Sequence, residues 1–187
     1  MADKYDLAYL NVNELPQYTG EDTSRDITPV YDTSAGRWES RLSGGGAVAA
    51  GSSLTLTADT HAGRVINLDT AAGSTVTLPA ASGSGNIYRF RVSVLATSNS
   101  HIVKVANASD AMEGYAVMRD TDTVDNAEAF FAVAGTSDTI TLNRTTTGSV
   151  TIGEYIEVED VATNRFHVRA YLSGSGDLAT PFSATVA

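Results

Sequence analysis

The sequence predicts an all-β fold, an antiparallel β-sandwich or barrel-like domain preceded by an extended N-terminal arm. Three observations predict it. From Ser52 onward, short runs rich in Val, Ile, Thr and aromatic residues recur between clusters of Gly, Ser, Asn and Asp. Within many of these runs apolar and polar side chains alternate with the period of two that a half-buried strand requires. No helix of ordinary length is visible anywhere in the chain.

Residues 1–44 read as the arm and residues 45–187 as the β-rich domain. The arm mixes acids and aromatics with Pro16 and Pro29. Neither a helical nor a strand period persists through it, so it reads as extended chain with turns at TGED and DTSAG. The run Gly44-Gly45-Gly46 is a flexible joint. An arm carrying Tyr5, Leu7, Tyr9, Leu10, Val12 and Trp38 exposes much apolar surface unless it lies on its own domain or on a partner.

The strands follow in order. SSLTLT (52–57), RVINLD (64–69), STVTLP (74–79), NIYRFRVSVL (86–95) and HIVKV (101–105) come first, then EGYAVM (113–118), EAFFAV (128–133) and DTITL (138–142). EYIEVED (154–160), RFHVRAYL (165–172) and FSATV (182–186) complete the set. In GRVINLDTAAGSTVTLP, Ile66 and Leu68 share one side and Val76 and Leu78 do likewise. Thr70-Ala71-Ala72-Gly73 then turns a half-buried hairpin, with Thr75 and Thr77 outward. In the long strand Tyr88, Phe90, Val92 and Val94 face the core, leaving Arg89 and Arg91 outside and in need of carboxylates. If Asp160–Asn164 spans the last turn, Glu159 stands opposite Arg165, Glu157 opposite His167 and Tyr155 opposite Arg169. Ile156, Val158, Phe166, Val168 and Ala170 then collect on the other face, giving a charge-laddered hairpin.

Composition narrows the function. A chain of 187 residues can bury a real core without staples, and with no Cys it has neither disulfides nor thiolate metal sites. A net charge of -10 opposes tracking along nucleic acid, which needs a basic footprint. The first residues, MADKYDLAYL, lack the basic start and apolar run of a secretory signal, and no window reaches transmembrane length, so a soluble product kept inside a cell is expected. The cations are almost all Arg, suited to fixed carboxylate pairs.

His61, His101 and His167 follow no metal-ligand spacing and read as satisfied surface or cross-strand histidines. Asp120, Asp122, Asp125 and Asn126 crowd into DTDTVDN, but no glycine makes the EF-hand turn and Phe131 stands where its bidentate Glu belongs, so the segment reads as an acidic, solvated loop. Glu154, Glu157, Glu159 and Asp160 could be imagined as glycosidase carboxylates, yet arginine pairing accounts for two of them. No nucleophile elbow or phosphate loop occurs, and the sequons at Asn107 and Asn143 read as chance matches. The expectation is a protein that is not an enzyme and holds no cofactor or metal.

The segments SDTITLN, TTTG, IGEYIEVEDVATNRF and SGSGDLATPFSA resemble small structural proteins of tailed-phage virions, particularly head decoration or cement proteins. GRVINLDTAAGSTVTLPAASGSGNIYRF is similar to a β-element of many phage structural proteins, and together the segments cover most of residues 63–187. The resemblance implies a virion component on the capsid surface, made in the host cytoplasm. It implies a homo-oligomer, often a trimer, seated on the major capsid protein and strengthening the shell. On that reading Tyr5, Tyr9, Leu10, Tyr31 and Trp38 are the capsid-binding anchors, because buried aromatics dominate interface energetics. A carbohydrate-binding head-fibre or tail module is the alternative, marked by an exposed aromatic platform or a cation site near residues 120–126; a glycosidase would need carboxylates converging in a groove.

Overall fold

A computed structural model describes residues 27–32, 37–42, 46–122 and 127–186. The chain divides into two units, residues 1–45 and 46–187. In the first, β1 (Ile27–Asp32) and β2 (Arg37–Leu42) pair antiparallel, with Tyr31 opposite Trp38 and Asp32 opposite Arg37. The expected extended arm therefore contains a pair of antiparallel strands, while residues 33–36 of the expected DTSAG turn and the whole of TGED lie outside the described residues. Pro29 and the lack of alternation in ITPVYD hide the strand from a sequence reading.

The second unit runs β3 (Val48–Ala49), β4 (Ser53–Thr55), α1 (Ala58–His61), β5 (Val65–Leu68), β6 (Thr75–Thr77), β7 (Ile87–Val92) and β8 (His101–Lys104). It continues through β9 (Ala111–Asp120), β10 (Glu128–Ala132), β11 (Thr139–Leu142), β12 (Tyr155–Ala162), β13 (Arg165–Gly174) and β14 (Phe182–Ser183). A seven-stranded sheet has the order β10-β9-β13-β12-β7-β5-β3 and a five-stranded sheet the order β14-β11-β8-β6-β4. Inward residues of both, such as Phe90, Val158 and Phe166 from one and Val76, Val103 and Ile140 from the other, form one buried core. The all-β class and nearly every strand position agree with the sequence pattern.

The expected antiparallel pairing does not hold throughout: both sheets are mixed. β3, β5 and β7 run parallel in the larger sheet, and β4, β6 and β8 run parallel in the smaller. Between β3 and β8 the chain coils from one sheet to the other at every connection. The hairpin expected at residues 63–79 is accordingly absent, since β5 and β6 belong to different sheets. Ile66, Leu68, Val76 and Leu78 are all fully buried, so the expected faces hold and the expected pairing does not. Thr70–Gly73 arches between layers, closed by the Gly73 N–H to the Thr70 carbonyl at 2.8 Å. The loop after β7 clasps the arch: the Thr97 N–H and hydroxyl donate to the Ala71 carbonyl, and the Asn99 amide donates to the Ala72 carbonyl.

Two further corrections concern register. Val94 lies beyond the end of β7 and is 36% exposed, whereas Tyr88, Phe90 and Val92 are buried as expected. In the β12–β13 hairpin Glu157 stands opposite Arg169, Glu159 opposite His167 and Tyr155 opposite Tyr171, two residues from the expected register. A bulge between Asp160 and Ala162 and a left-handed Asn164 (φ 61°) make the turn tighter than five residues. A shift of two keeps every side chain on its own face, so the apolar and charged sides remain sorted.

β13 also pairs with β9, in parallel, over its whole length. Gly114 of β9 makes this approach possible. Its φ is 122°, and a Cβ there would overlap the backbone carbonyl of Val168. Gly114→Ala is expected to lower stability by at least about 2 kcal/mol in urea titrations, because both backbone strain and overlap must be relieved. Gly135→Ala, at an exposed turn with open space and no positive φ, is the control and should be nearly neutral. Equal effects of the two substitutions would contradict the close approach.

Candidate functional site

The acids that a catalytic reading would use are held by the fold. Asp160 is buried, and its carboxylate accepts N–H bonds from Ser82, Gly83 and Ser84 and hydroxyl bonds from Ser82 and Ser84, at 2.6–3.2 Å. The glycine-serine stretch 82–85 is therefore a cradle for a carboxylate and not a free linker. Burial opposes ionisation of Asp160, but the Ser84 hydroxyl and the loop N–H groups outweigh it and hold the carboxyl below the usual aspartate value. Glu154, also buried, accepts the N–H groups of Ser149, Val150 and Thr151 at 2.7–2.8 Å; burial nevertheless pushes its carboxyl above the usual glutamate value. Asp138 accepts the Thr185 and Val186 N–H groups and the Thr139 hydroxyl, and these bonds overcome burial and hold its carboxyl down.

The acidic segment after β9 departs from expectation in the same way. Asp120 is 3% exposed, not solvated, and accepts the Asp122 N–H, while Asp122 accepts the Gly176 N–H. Asp125 and Asn126 lie outside the described residues. Among the described residues no three His, Asp or Glu side chains group as a metal ion requires, and no helix is long and apolar enough to cross a membrane.

The histidines are structural too. His61 is buried and its Nδ1 accepts the Thr57 N–H; His101 is fully buried, with Nδ1 accepting the Ser74 N–H and Nε2 donating to the Val94 carbonyl. Burial pulls the His101 pKa below 6.5, so the ring stays neutral and its contribution to stability is lost as pH falls below that value. His167 alone faces outward, opposite Glu159 and Glu113.

Among the described residues, the exposed rings of Phe130 and Tyr171 lie on the outer face of the seven-stranded sheet. One half of it is a charge ladder. Glu157 receives Arg89 at 3.0 Å from β7, Arg169 at 3.2 Å from β13, and the Tyr155 hydroxyl at 3.2 Å. Arg165 meets Glu113 at 3.5 Å. Arg91, expected to find a carboxylate, instead donates to the Asn67 side-chain oxygen at 2.9 Å. Such half-exposed pairs are worth roughly 0–1 kcal/mol each, far less than a carboxylate buried on backbone donors.

The other half is apolar. Register aligns Phe130 (β10), Val117 (β9), Tyr171 (β13) and Tyr155 (β12) in one row across the face. Phe130 is 65% exposed and Tyr171 55%, and the Phe130 ring stacks on Tyr115 with centroids 5.2 Å apart. Ile152, in the loop before β12, is 65% exposed beside Tyr171. An open groove of about 310 Å³ runs between them, with the exposed Arg119 and Glu128 and the buried Ser173 among its polar lining.

None of these residues was among the anchors expected from sequence. Of those, Tyr31 and Trp38 occupy opposed positions in the β1–β2 pair, while Tyr5, Tyr9 and Leu10 lie outside the described residues. A signal was present in EAFFA, which puts apolar residues on both faces, whereas a strand with one solvated face alternates. Compared with known proteins, the chain matches no protein-family model, no curated protein and no solved structure.

Asp160→Ala is expected to cost about 3 kcal/mol at neutral pH, since it strips an anion from several buried donors. A folded pKa below the usual 3.8 means the carboxylate's contribution is present above that value and lost as pH falls through the folded pKa. Urea titrations should therefore show the gap between variant and parent closing in acid. A gap independent of pH would rule out the ionised cradle.

Proposed function

We propose that this protein is a structural component of a tailed-phage virion, a decoration or cement protein that binds the outer surface of the head and stabilises it. The observation that carries the reading is the row of Phe130, Val117 and Tyr171, whose two aromatic rings are more than half exposed, with the exposed Ile152 beside it. A rigid apolar face bordered by charges suits a protein partner better than a small substrate. The resemblance of SDTITLN, IGEYIEVEDVATNRF and SGSGDLATPFSA to virion proteins supplies the class of partner, the major capsid protein. Many copies on a lattice act together, so modest contacts per copy stabilise the whole shell. Tyr5, Tyr9, Leu10, Tyr31 and Trp38 remain proposed anchors of the N-terminal unit.

A second reading, a carbohydrate-binding head-fibre or tail module, is favoured by the exposed Tyr171 ring beside a groove rimmed by Arg119 and Glu128. Aromatic platforms with nearby bidentate polar groups suit sugar rings.

The test mixes full-length protein with phage heads lacking decoration and measures co-sedimentation and the temperature of DNA release. Binding should raise that temperature. Tyr171→Ala combined with Ile152→Asp should weaken binding at least about tenfold without lowering the unfolding temperature of the free protein. Saturable glycan binding without head binding would replace the proposal with the second reading, and neither activity would refute both.

A further inference from the structure

The two sheets end in four edges, and three of them are blunt. β3 and β14 have two residues each and β4 has three, too short to template another strand. β10 has five residues, Glu128–Ala132, and is the outermost strand of the larger sheet. It carries no Lys, no Pro and no inward charge, and its one charged residue, Glu128, stands at its first position. Phe130, at its centre, is 65% exposed.

The hydrogen-bond parity of β10 fixes which backbone groups are unspent. The Ala127 carbonyl accepts from Asp120, and the Val133 N–H donates to Gly114. With the antiparallel register, the odd-numbered residues therefore face β9, and the N–H and C=O groups of Glu128, Phe130 and Ala132 point off the sheet. No other strand of the described residues pairs with them.

We infer that β10 pairs with β10 of a second copy of this chain, antiparallel, about a twofold axis at Phe130. The strand is self-complementary in this register. Phe130 stands opposite the second copy's Phe130, and Glu128 stands opposite Ala132, so like charges do not meet. Moving the axis to Glu128 would oppose two glutamates, which disfavours that slip. The pairing uses all three outward residues and makes about six hydrogen bonds. It also joins the two outer faces into one sheet, with Tyr171, Val117 and Phe130 of each copy in a continuous row. Such an edge contact falls below the roughly 1,200 Å² of a standard interface, so the dimer forms reversibly and depends on concentration.

The contact is isologous and so closes a pair, not the threefold ring that the virion resemblance implies. It stands or falls in free solution, independently of any capsid. Sedimentation velocity of the full chain over a concentration series should show conversion from one to two chains. Ala132→Pro deletes an outward N–H without touching a β9 bond, and Phe130→Lys puts a charge at the axis. Each should weaken dimerisation at least tenfold while leaving the circular dichroism of the fold unchanged. Amide exchange at Glu128, Phe130 and Ala132 should slow with rising concentration, while exchange at Ala129 and Phe131, already bonded to β9, should not. One chain at every concentration, three chains, or a dimer indifferent to both variants would overturn the inference; a foreign strand on this edge would give the first of these outcomes.

Discussion

A carboxylate taken out of water must be given hydrogen-bond donors, and this chain supplies them from its own backbone. Asp110, Asp120, Asp138, Glu154 and Asp160 are the buried acids among the described residues, and each accepts at least one main-chain N–H. No buried Lys or Arg accompanies them. An isolated buried charge costs several kcal/mol, so donors on loops otherwise free to move must be brought in and held. The segments held in this way include 81–84, 149–151 and 185–186. Acids that look catalytic in the sequence are thus the fasteners of its irregular segments, and the excess of acid over base has a structural use.

Fixing the loops in this way lets the strands be short. Every strand of the five-stranded sheet has four residues or fewer, and between β3 and β8 the chain changes layer at each connection. Such a coil has few local hydrogen bonds to define it. Its arches are instead pinned by side chains and by neighbouring loops, as His101 does for Ser74 and Asn99 for Ala72. Mutations that leave the core volume intact can therefore still loosen the fold if they remove one of these polar ties.

The strands themselves were legible because alternation of apolar and polar residues reports which face a side chain occupies. It does not report which strand lies alongside. Ile66, Leu68, Val76 and Leu78 have the pattern of a hairpin and of a layer-crossing arch alike, since both bury the same positions. The β12–β13 register differs by two from the pattern's simplest pairing for a related reason: a two-residue slip preserves the faces, and only the bulge and the left-handed Asn164 distinguish the tight turn. The outer-face row was illegible because Phe130, Val117 and Tyr171 come from three strands, and the parallel pairing of β9 with β13 that aligns two of them spans more than fifty residues of sequence. Asp160 was hidden as well, for nothing in EYIEVED separates a carboxylate bound to a distant Ser-Gly-Ser loop from one paired with arginine.

Two of the buried carboxylates, Asp138 and Asp160, are held ionised by N–H and hydroxyl donors of their loops. Carbon-13 NMR titration of the side-chain carboxyls of Asp138 and Asp160 in the folded protein tests this most directly. Both should titrate below the usual aspartate value of 3.8, with the Ser84 amide and hydroxyl signals moving in step with Asp160. Midpoints at or above that value, or loop signals indifferent to Asp160, would mean that the carboxylates do not hold the loops and that the sheets are closed by some other means.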